Sequence, residues 1–124
     1  MPAMDDDAGK KEYDLEERAF RFAKNIRCFV KKLPRNVCNM QDVPQLVRSS
    51  GSVGANYIEA NDSLSKKDFL MRVKISRREA KESIYWLRLM DVGTEPALEK
   101  DRAALVQEAT ELMKILGAIF RKSE

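Results

Sequence analysis

Residues 65–91, SKKDFLMRVKISRREAKESIYWLRLMD, decide the fold of this chain. Apolar side chains recur in this stretch at steps of three, four and seven residues, which is the spacing of one face of an α-helix. They are Leu70, Val73, Ala80, Ile84 and Leu87. Ser65 precedes the stretch as an N-cap, and Asp68 three residues later gives a variant of the capping box. The pattern therefore predicts a helix that begins after Ser65 and ends near Asp91.

Two earlier stretches show the same helical period. The first begins at Tyr13 and ends because Pro34 cannot continue a helix and disfavours helical geometry in the residue before it. A connector, residues 35–41, follows it. Asp42 is the predicted N-cap of the second helix, with Pro44 in the first turn, where a proline is tolerated.

Two breaks complete the division of the chain into four helices. One is at residues 61–63, and the other contains Gly93, which suits the positive φ that often ends a helix. Residues 1–11 are almost without apolar side chains and form a predicted disordered tail, so residues 12–124 are the predicted domain. Four long helices with short connectors predict an all-α fold, an antiparallel up-down-up-down four-helix bundle.

The composition narrows the range of functions. The 124 residues make one domain, and five Gly and four Pro are too few for an all-β chain. The chain has no histidine, so it lacks the commonest general base and the commonest metal ligand. No nucleophile with its base, phosphate loop or metal-ligand spacing is present. We therefore predict a protein that is not an enzyme and has no cofactor or metal.

The same sequence indicates a cytoplasmic protein. No apolar run approaches the length that spans a bilayer, and the polar N-terminus does not resemble a signal peptide. Cys28 and Cys38 are then expected to be reduced thiols.

The third and fourth helices carry more apolar residues than one core-facing stripe needs. The extra residues are Met71, Ile75, Tyr85, Trp86 and Leu89 in the third helix and Val106, Met113 and Phe120 in the fourth. A helix that is apolar on two sides needs two partners, so we expect the third-helix stripe to form a subunit interface. A wide core stripe in a small bundle is the alternative. In the second helix, Gly51, Gly54 and Ala55 predict a close approach by a neighbouring helix.

Four segments resemble a known family. They are QLVRSSGSVGANYIEA (45–60), SKKDFL (65–70), REAKES (78–83) and YWL (85–87). These segments are similar to the bacterial 23S rRNA intervening-sequence proteins, also called S23 ribosomal proteins. The resemblance extends over nearly the whole chain from Tyr13 onward. It implies a four-helix bundle that assembles into a ring, commonly a homopentamer, and it implies no defined reaction.

Several polar residues match polar positions of that family. We predict that five of them form a hydrogen-bonded network that fixes helix register or subunit geometry. They are Arg48, Asn56, Glu59, Glu79 and Glu82. Asn56 and Glu59 are three residues apart, and Glu79 and Glu82 repeat that spacing. Four such residues also suit a metal centre of the ferritin type, but that type uses Glu-x-x-His pairs, which a chain without histidine cannot supply.

The third helix is rich in basic residues, although the net charge is only +3. The predicted nucleic-acid contacts are Lys66, Lys67, Arg72, Lys74, Arg77, Arg78 and Lys81. A ring would repeat this cluster in every subunit and add up its positive field. The sequence therefore leaves two functions open: an accessory protein that binds RNA or DNA, and a protein-interaction scaffold whose charges serve solubility.

Overall fold

The computed structural model describes the backbone of residues 7–124 and the side chains of residues 15–124. Within this part of the chain there are four α-helices and no strand. The helices are α1 (Asp7–Val30), α2 (Val37–Asn61), α3 (Lys66–Leu89) and α4 (Pro96–Ser123). The prediction of an all-α, four-helix fold is confirmed.

The start of α1 differs from the sequence prediction. The helix begins at Asp7 and not at Tyr13, so residues 7–11 are helical where a disordered tail was predicted. A helix can continue past its apolar stretch because each added residue gains one backbone hydrogen bond without a new nucleation cost. Residues 1–6 of the predicted tail lie outside the described residues.

The start of α2 also differs, and the prediction of Asp42 as its N-cap is wrong. The cap is Asn36, whose Oδ1 accepts a hydrogen bond of 2.9 Å from the backbone N–H of Asn39. Pro44 consequently lies inside the helix, where it can donate no backbone hydrogen bond. An internal proline typically costs about 3 kcal/mol. The cap at Asn36 was missed because Pro44 was assigned to the first turn.

The N-cap of α3 and the turn before α4 agree with the prediction. Ser65 Oγ accepts a hydrogen bond of 3.1 Å from the backbone N–H of Asp68. Gly93 has a φ of +66°, in the left-handed region that glycine adopts without strain, but it lies in the connector, since α3 ends at Leu89 with Met90 as its C-cap. Pro96 is the first residue of α4 and fills a position whose N–H would have no helical partner.

One hydrophobic core joins the four helices. α1 and α3 each contact both α2 and α4. The largest fully buried apolar side chains are Phe22, Ile26, Leu46, Leu87, Leu112 and Leu116. Because burying such a side chain contributes about 1.5–3 kcal/mol, this core holds the helix faces in fixed positions.

The small residues of α2 bring it close to α1 at one point. A Cβ on Gly54 would lie 3.3 Å from Cβ of Ala19 and 3.7 Å from its backbone carbonyl carbon, so a larger residue would push α1 away by at least a few tenths of an ångström. Gly51 faces the guanidinium of Arg27 instead of a backbone, and Ala55 is exposed. The close approach predicted for the three residues is thus made at Gly54 alone.

Asn39 connects the two inter-helix connectors at one end of the molecule. Its side chain is 3% exposed and donates hydrogen bonds to the carbonyl oxygens of Pro34 (3.0 Å) and Asp91 (2.9 Å). Its Oδ1 accepts a third bond, 2.9 Å long, from the backbone N–H of Asp91. Asn36 adds a bond of 3.0 Å to the Asp91 carboxylate. Neither asparagine was predicted from the sequence to have this role.

A candidate nucleic-acid interface on α3

The seven predicted nucleic-acid contacts are all exposed residues of α3, and they point in three directions. Arg72 lies at the edge that faces α2, where its Nη1 donates to Asn56 Oδ1 at 3.0 Å. Lys67 and Arg78 lie on the outward side of the helix. The other four lie toward α4, and they are Lys66, Lys74, Arg77 and Lys81.

The edge of α3 beside α4 has direct contacts with that helix. Lys66 Nζ donates a hydrogen bond of 2.9 Å to the backbone oxygen of Glu124. Lys74 and Arg77 line a hollow with Gly117 and Arg121 of α4. Arg121 was not predicted from the sequence. It lies one helical turn after Gly117 in α4, whereas all the predicted contacts are in α3.

Most of this basic charge is not neutralised by acidic side chains of α3 or its neighbours. Among the residues described with side chains, none forms a hydrogen bond or ion pair with Lys67, Lys74, Arg77, Arg78 or Lys81. The surface can therefore attract anions, because exposed charge that is not paired contributes fully to the local potential.

Two acidic residues of α3, Glu79 and Glu82, bind Arg48 of α2 instead. Arg48 Nη1 lies 3.4 Å from both carboxylate oxygens of Glu79, and Nη2 forms an ion pair with Glu82. The structure thus brings together three members of the predicted polar network. Asn56 lies apart from them and donates to the Ser52 carbonyl oxygen at 2.9 Å.

Glu59, the fifth predicted member, forms no side-chain hydrogen bond or ion pair with the other four in the part of the chain described with side chains. It is exposed near the end of α2. The three-residue spacing of Asn56 and Glu59 predicts that they share one helix face, but only Asn56 bonds to a residue of α3.

Buried serines lie beneath the Arg48 ion pairs and connect α2 to α3. The Oγ atoms of Ser49 and Ser83 are 2.9 Å apart, and Ser76 Oγ donates to the Val53 carbonyl oxygen at 2.7 Å. Small hydroxyl side chains satisfy each other or the backbone here, so they are buried without an unpaired group. These two hydrogen bonds fix the position of α3 relative to α2.

A second charged cluster joins α1 to α4 and was also missed. Arg18 Nε and Nη2 donate to the two oxygens of Glu108, at 2.7 and 3.0 Å, and Nη2 also contacts Glu111 at 2.5 Å. The bonds to Glu108 raise the pKa of Arg18 further above its usual range. Hydrogen bonds from Gln107 and then Arg18 lower the pKa of Glu111 below its usual 4.5. This cluster could not be predicted from helical periodicity, because periodicity shows which residues share a face of one helix and not which residues of two helices meet.

Arg102 of α4 binds the C-terminal end of α3. Its Nη1 lies 2.5 Å from the carbonyl oxygen of Met90, the C-cap residue that follows α3. Glu99 holds the same guanidinium through a bond of 2.6 Å to Nη2. This bond lowers the pKa of the Glu99 carboxyl.

The predicted interface residues of α3 divide into two groups. Met71, Tyr85 and Leu89 are about half exposed, at 50%, 57% and 47%. Ile75 is half-buried, and Trp86 packs against the core with its Nε1 buried. Met71, Tyr85 and Leu89 are therefore available for contact with another subunit, whereas Trp86 is already packed against the core.

The extra apolar residues of α4 fit the alternative explanation. Val106, Met113 and Phe120 are half-buried and pack against the core. They therefore widen the core-facing stripe of α4, and no large apolar side chain of α4 is among the exposed ones.

The apolar and basic residues of α3 share its outward side. Met71 and Tyr85 each lie seven residues from Arg78, so the three side chains follow one line along the helix. A partner that covers Met71 and Tyr85 would also cover Arg78. The edge toward α4 carries Lys74, Arg77 and Lys81 at steps of three and four, without an exposed large apolar side chain between them.

The described residues contain no group of three or more His, Cys, Asp and Glu side chains placed to hold a metal ion. None of the described helices is both long and apolar enough to cross a membrane.

Comparisons with known proteins give the family. A model of the 23S rRNA-intervening sequence protein family matches residues 11–118. The chain is similar to a crystal structure of a protein of unknown function from the S23 ribosomal protein family of Bacteroides thetaiotaomicron, with 29% sequence identity and a TM-score of 0.71. That similarity covers 86% of this chain and 97% of the other. No curated protein matches. This chain, an all-α protein of four helices, belongs to the 23S rRNA-intervening sequence protein family.

Proposed function

We propose that this protein is a non-enzymatic accessory protein that binds RNA through its phosphates. The observation that carries the proposal is the set of exposed basic side chains on α3 that no described acidic residue pairs. Arg48 supports it by binding Glu79 and Glu82, the acidic residues that would otherwise reduce the positive potential of α3. Phosphate neutralisation by Lys and Arg supplies most of the sequence-independent affinity for nucleic acids.

The proposal includes a ring of identical subunits, most simply a pentamer. The exposed apolar residues Met71, Tyr85 and Leu89 support it, because a helix that is apolar on a second side can bury that side against another subunit. A ring of five chains with a charge of +3 would carry about +15 and would repeat the basic edge in each subunit.

The proposed bundle runs up-down-up-down, with neighbouring helices antiparallel. Two ion pairs with α4 support this direction. Arg18 of α1 meets Glu108, whereas Lys32, just after the end of α1, meets Asp101, which is earlier in α4. The short connectors between consecutive helices fit the same arrangement.

The two surface roles can be assigned to different sides of α3. We assign the outward line of Met71, Arg78 and Tyr85 to the subunit interface. The edge toward α4, with Lys74 and Lys81, then remains available for RNA in the assembled ring.

The test is RNA binding measured by fluorescence anisotropy over a series of salt concentrations. We expect affinity for a mixed-sequence RNA to fall steeply with salt and to vary little with base sequence. The double variant Lys74→Glu with Lys81→Glu should bind more weakly, with a flatter salt dependence. The matched control reverses Lys31 and Lys100, which are exposed and outside the basic edge. Equal loss in both double variants would show that only net charge matters.

A protein-interaction scaffold is the second candidate, favoured by the exposed apolar residues of α3. It would be supported if the assembled protein bound no RNA at low salt.

The assembly is tested by light scattering on the Leu89→Glu and Met71→Glu variants. Both residues are exposed in the single chain, so the variants should fold yet form smaller species than the parent protein. Leu64→Glu is the control, because Leu64 is fully exposed in the connector before α3. A parent chain that is monomeric at micromolar concentration would contradict the ring.

The proposed absence of catalysis rests on the lack of histidine and of an activated nucleophile. Multiple turnover of a substrate that is abolished by Glu82→Gln, with the fold retained, would contradict it. We propose a cytoplasmic location, which the two free cysteines, Cys28 and Cys38, support.

A further inference from the structure

A hollow between α3 and the last turns of α4 gathers basic side chains from both helices. Its lining consists of Lys74, Arg77, Gly117, Phe120, Arg121 and Glu124. We call it the Gly117 hollow. Lys74 and Arg77 come from α3, and the other four residues come from the C-terminal part of α4 and the residue that follows it. The two helices therefore have to pack before the basic groups meet.

Gly117 is the feature that lets the two arginines converge. It is buried, and a Cβ at this position would lie 3.3 Å from Nε of Arg77 and 3.5 Å from Nη1 of Arg121. Both guanidinium groups thus approach the same point on the surface of α4. An alanine would force Arg77 away by a few tenths of an ångström, which glycine does not.

The two guanidinium groups have no acidic partner where they converge. Among residues described with side chains, none forms an ion pair or a hydrogen bond with Arg77, Arg121 or Lys74. Glu124, the acidic residue of the lining, has its backbone oxygen bound by Lys66. Two like charges at close range repel, so an anion between them would relieve an unfavourable interaction.

The helix dipole does not by itself explain this arrangement. It favours a cation such as Arg121 in the last turn of α4. The dipole of α4 does not explain why Arg77, which belongs to α3, lies over Gly117 and beside Arg121. Guanidinium groups are planar donors that match the oxygens of a phosphate in pairs.

We propose that the Gly117 hollow binds one phosphate group of a nucleic-acid strand, with Arg77 and Arg121 as its ligands and Lys74 as a third positive charge. The identity of the strand rests on the proposed function, whereas the phosphate chemistry rests on the hollow alone. The hollow fixes where a strand meets the edge of α3, and Lys81 continues that edge one helical turn from Arg77.

The first experiment titrates the full chain with inorganic phosphate and follows the amide signal of Gly117 by NMR. We expect a saturable shift, with affinity about tenfold weaker in the Arg77→Gln, Arg121→Gln double variant. The charge-matched control is Arg35→Gln with Arg88→Gln, since both arginines are exposed and lie outside the hollow. Glu124→Gln should bind phosphate more tightly. No saturable shift, or equal losses in the two double variants, would overturn the proposal.

The second experiment measures RNA binding of the same variants over a salt series. Loss of one phosphate contact should reduce the slope of log affinity against log salt by about 0.7 for a single strand. The control variant should keep the parent slope. If RNA binds and the Arg77, Arg121 variant behaves like its control, the hollow proposal is wrong and the proposed function stands. If phosphate binds at the hollow and RNA does not bind, the proposed function and the nucleic-acid ligand are both wrong.

Discussion

Replacing Asn39 by alanine tests whether one side chain holds the two connectors together. The substitution removes three hydrogen bonds of 2.9–3.0 Å and leaves the carbonyl oxygens of Pro34 and Asp91 and the N–H of Asp91 without their partner. At about 1 kcal/mol for each bond, we expect the free energy of unfolding to fall by about 3 kcal/mol. Alanine is also the better helix former, which offsets about 0.5 kcal/mol of the loss in α2.

The measurement is urea unfolding followed by circular dichroism. Asn25→Ala is the control, because Asn25 is an exposed residue of α1 and gives the same gain in helix propensity without breaking a connector bond. Asn39→Asp sharpens the test, since a carboxylate can accept from the Asp91 N–H but cannot donate to the two carbonyl oxygens. An Asn39→Ala midpoint equal to that of Asn25→Ala would refute the reasoning.

Three further predictions use other contacts of the same structure. Gly54→Leu should destabilise the fold by about 2 kcal/mol, because its side chain would enter the space of Ala19; Ala55→Leu, at an exposed neighbour, should cost little by the same urea assay. Gly117→Ala should raise the melting temperature slightly through a gain of up to about 1 kcal/mol in helix propensity while weakening phosphate binding, and a lower melting temperature with unchanged binding would count against this account. The lowered pKa values of Glu99 and Glu111 mean that their contacts stabilise the fold above the usual carboxyl pKa of 4.5, and that this contribution is lost as the pH falls through their folded values. The difference in urea midpoint between the parent and the Glu99→Gln, Glu111→Gln variant should therefore shrink between about pH 6 and about pH 3, and a difference that does not depend on pH would contradict this.

The candidate site was partly predictable. The basic residues of α3 lie close together in the sequence, so their enrichment is visible in the order of residues alone. The contribution of α4 was not predictable in this way, because Arg121 is far from Arg77 in the chain and only the packing of the two helices brings them over Gly117. The predicted network of five residues could not be tested on the sequence either, because its contacts also depend on how two helices pack. In the structure Arg48 bonds to Glu79 and Glu82, and Glu59 lies outside that contact.

The four helices, the N-cap at Ser65 and the positive φ of Gly93 were determined by the sequence alone, because helix period, N-cap chemistry and positive φ depend on residues within a few positions of each other. Tertiary structure decided whether the extra apolar residues of α3 and of α4 were packed against the core. Val106, Met113 and Phe120 joined it, whereas Met71, Tyr85 and Leu89 stayed half exposed. It also decided the role of Asn39, whose three partners come from both connectors. A side chain's burial and its distant partners depend on where the other helices lie, and a local period of 3.6 residues contains no information about that.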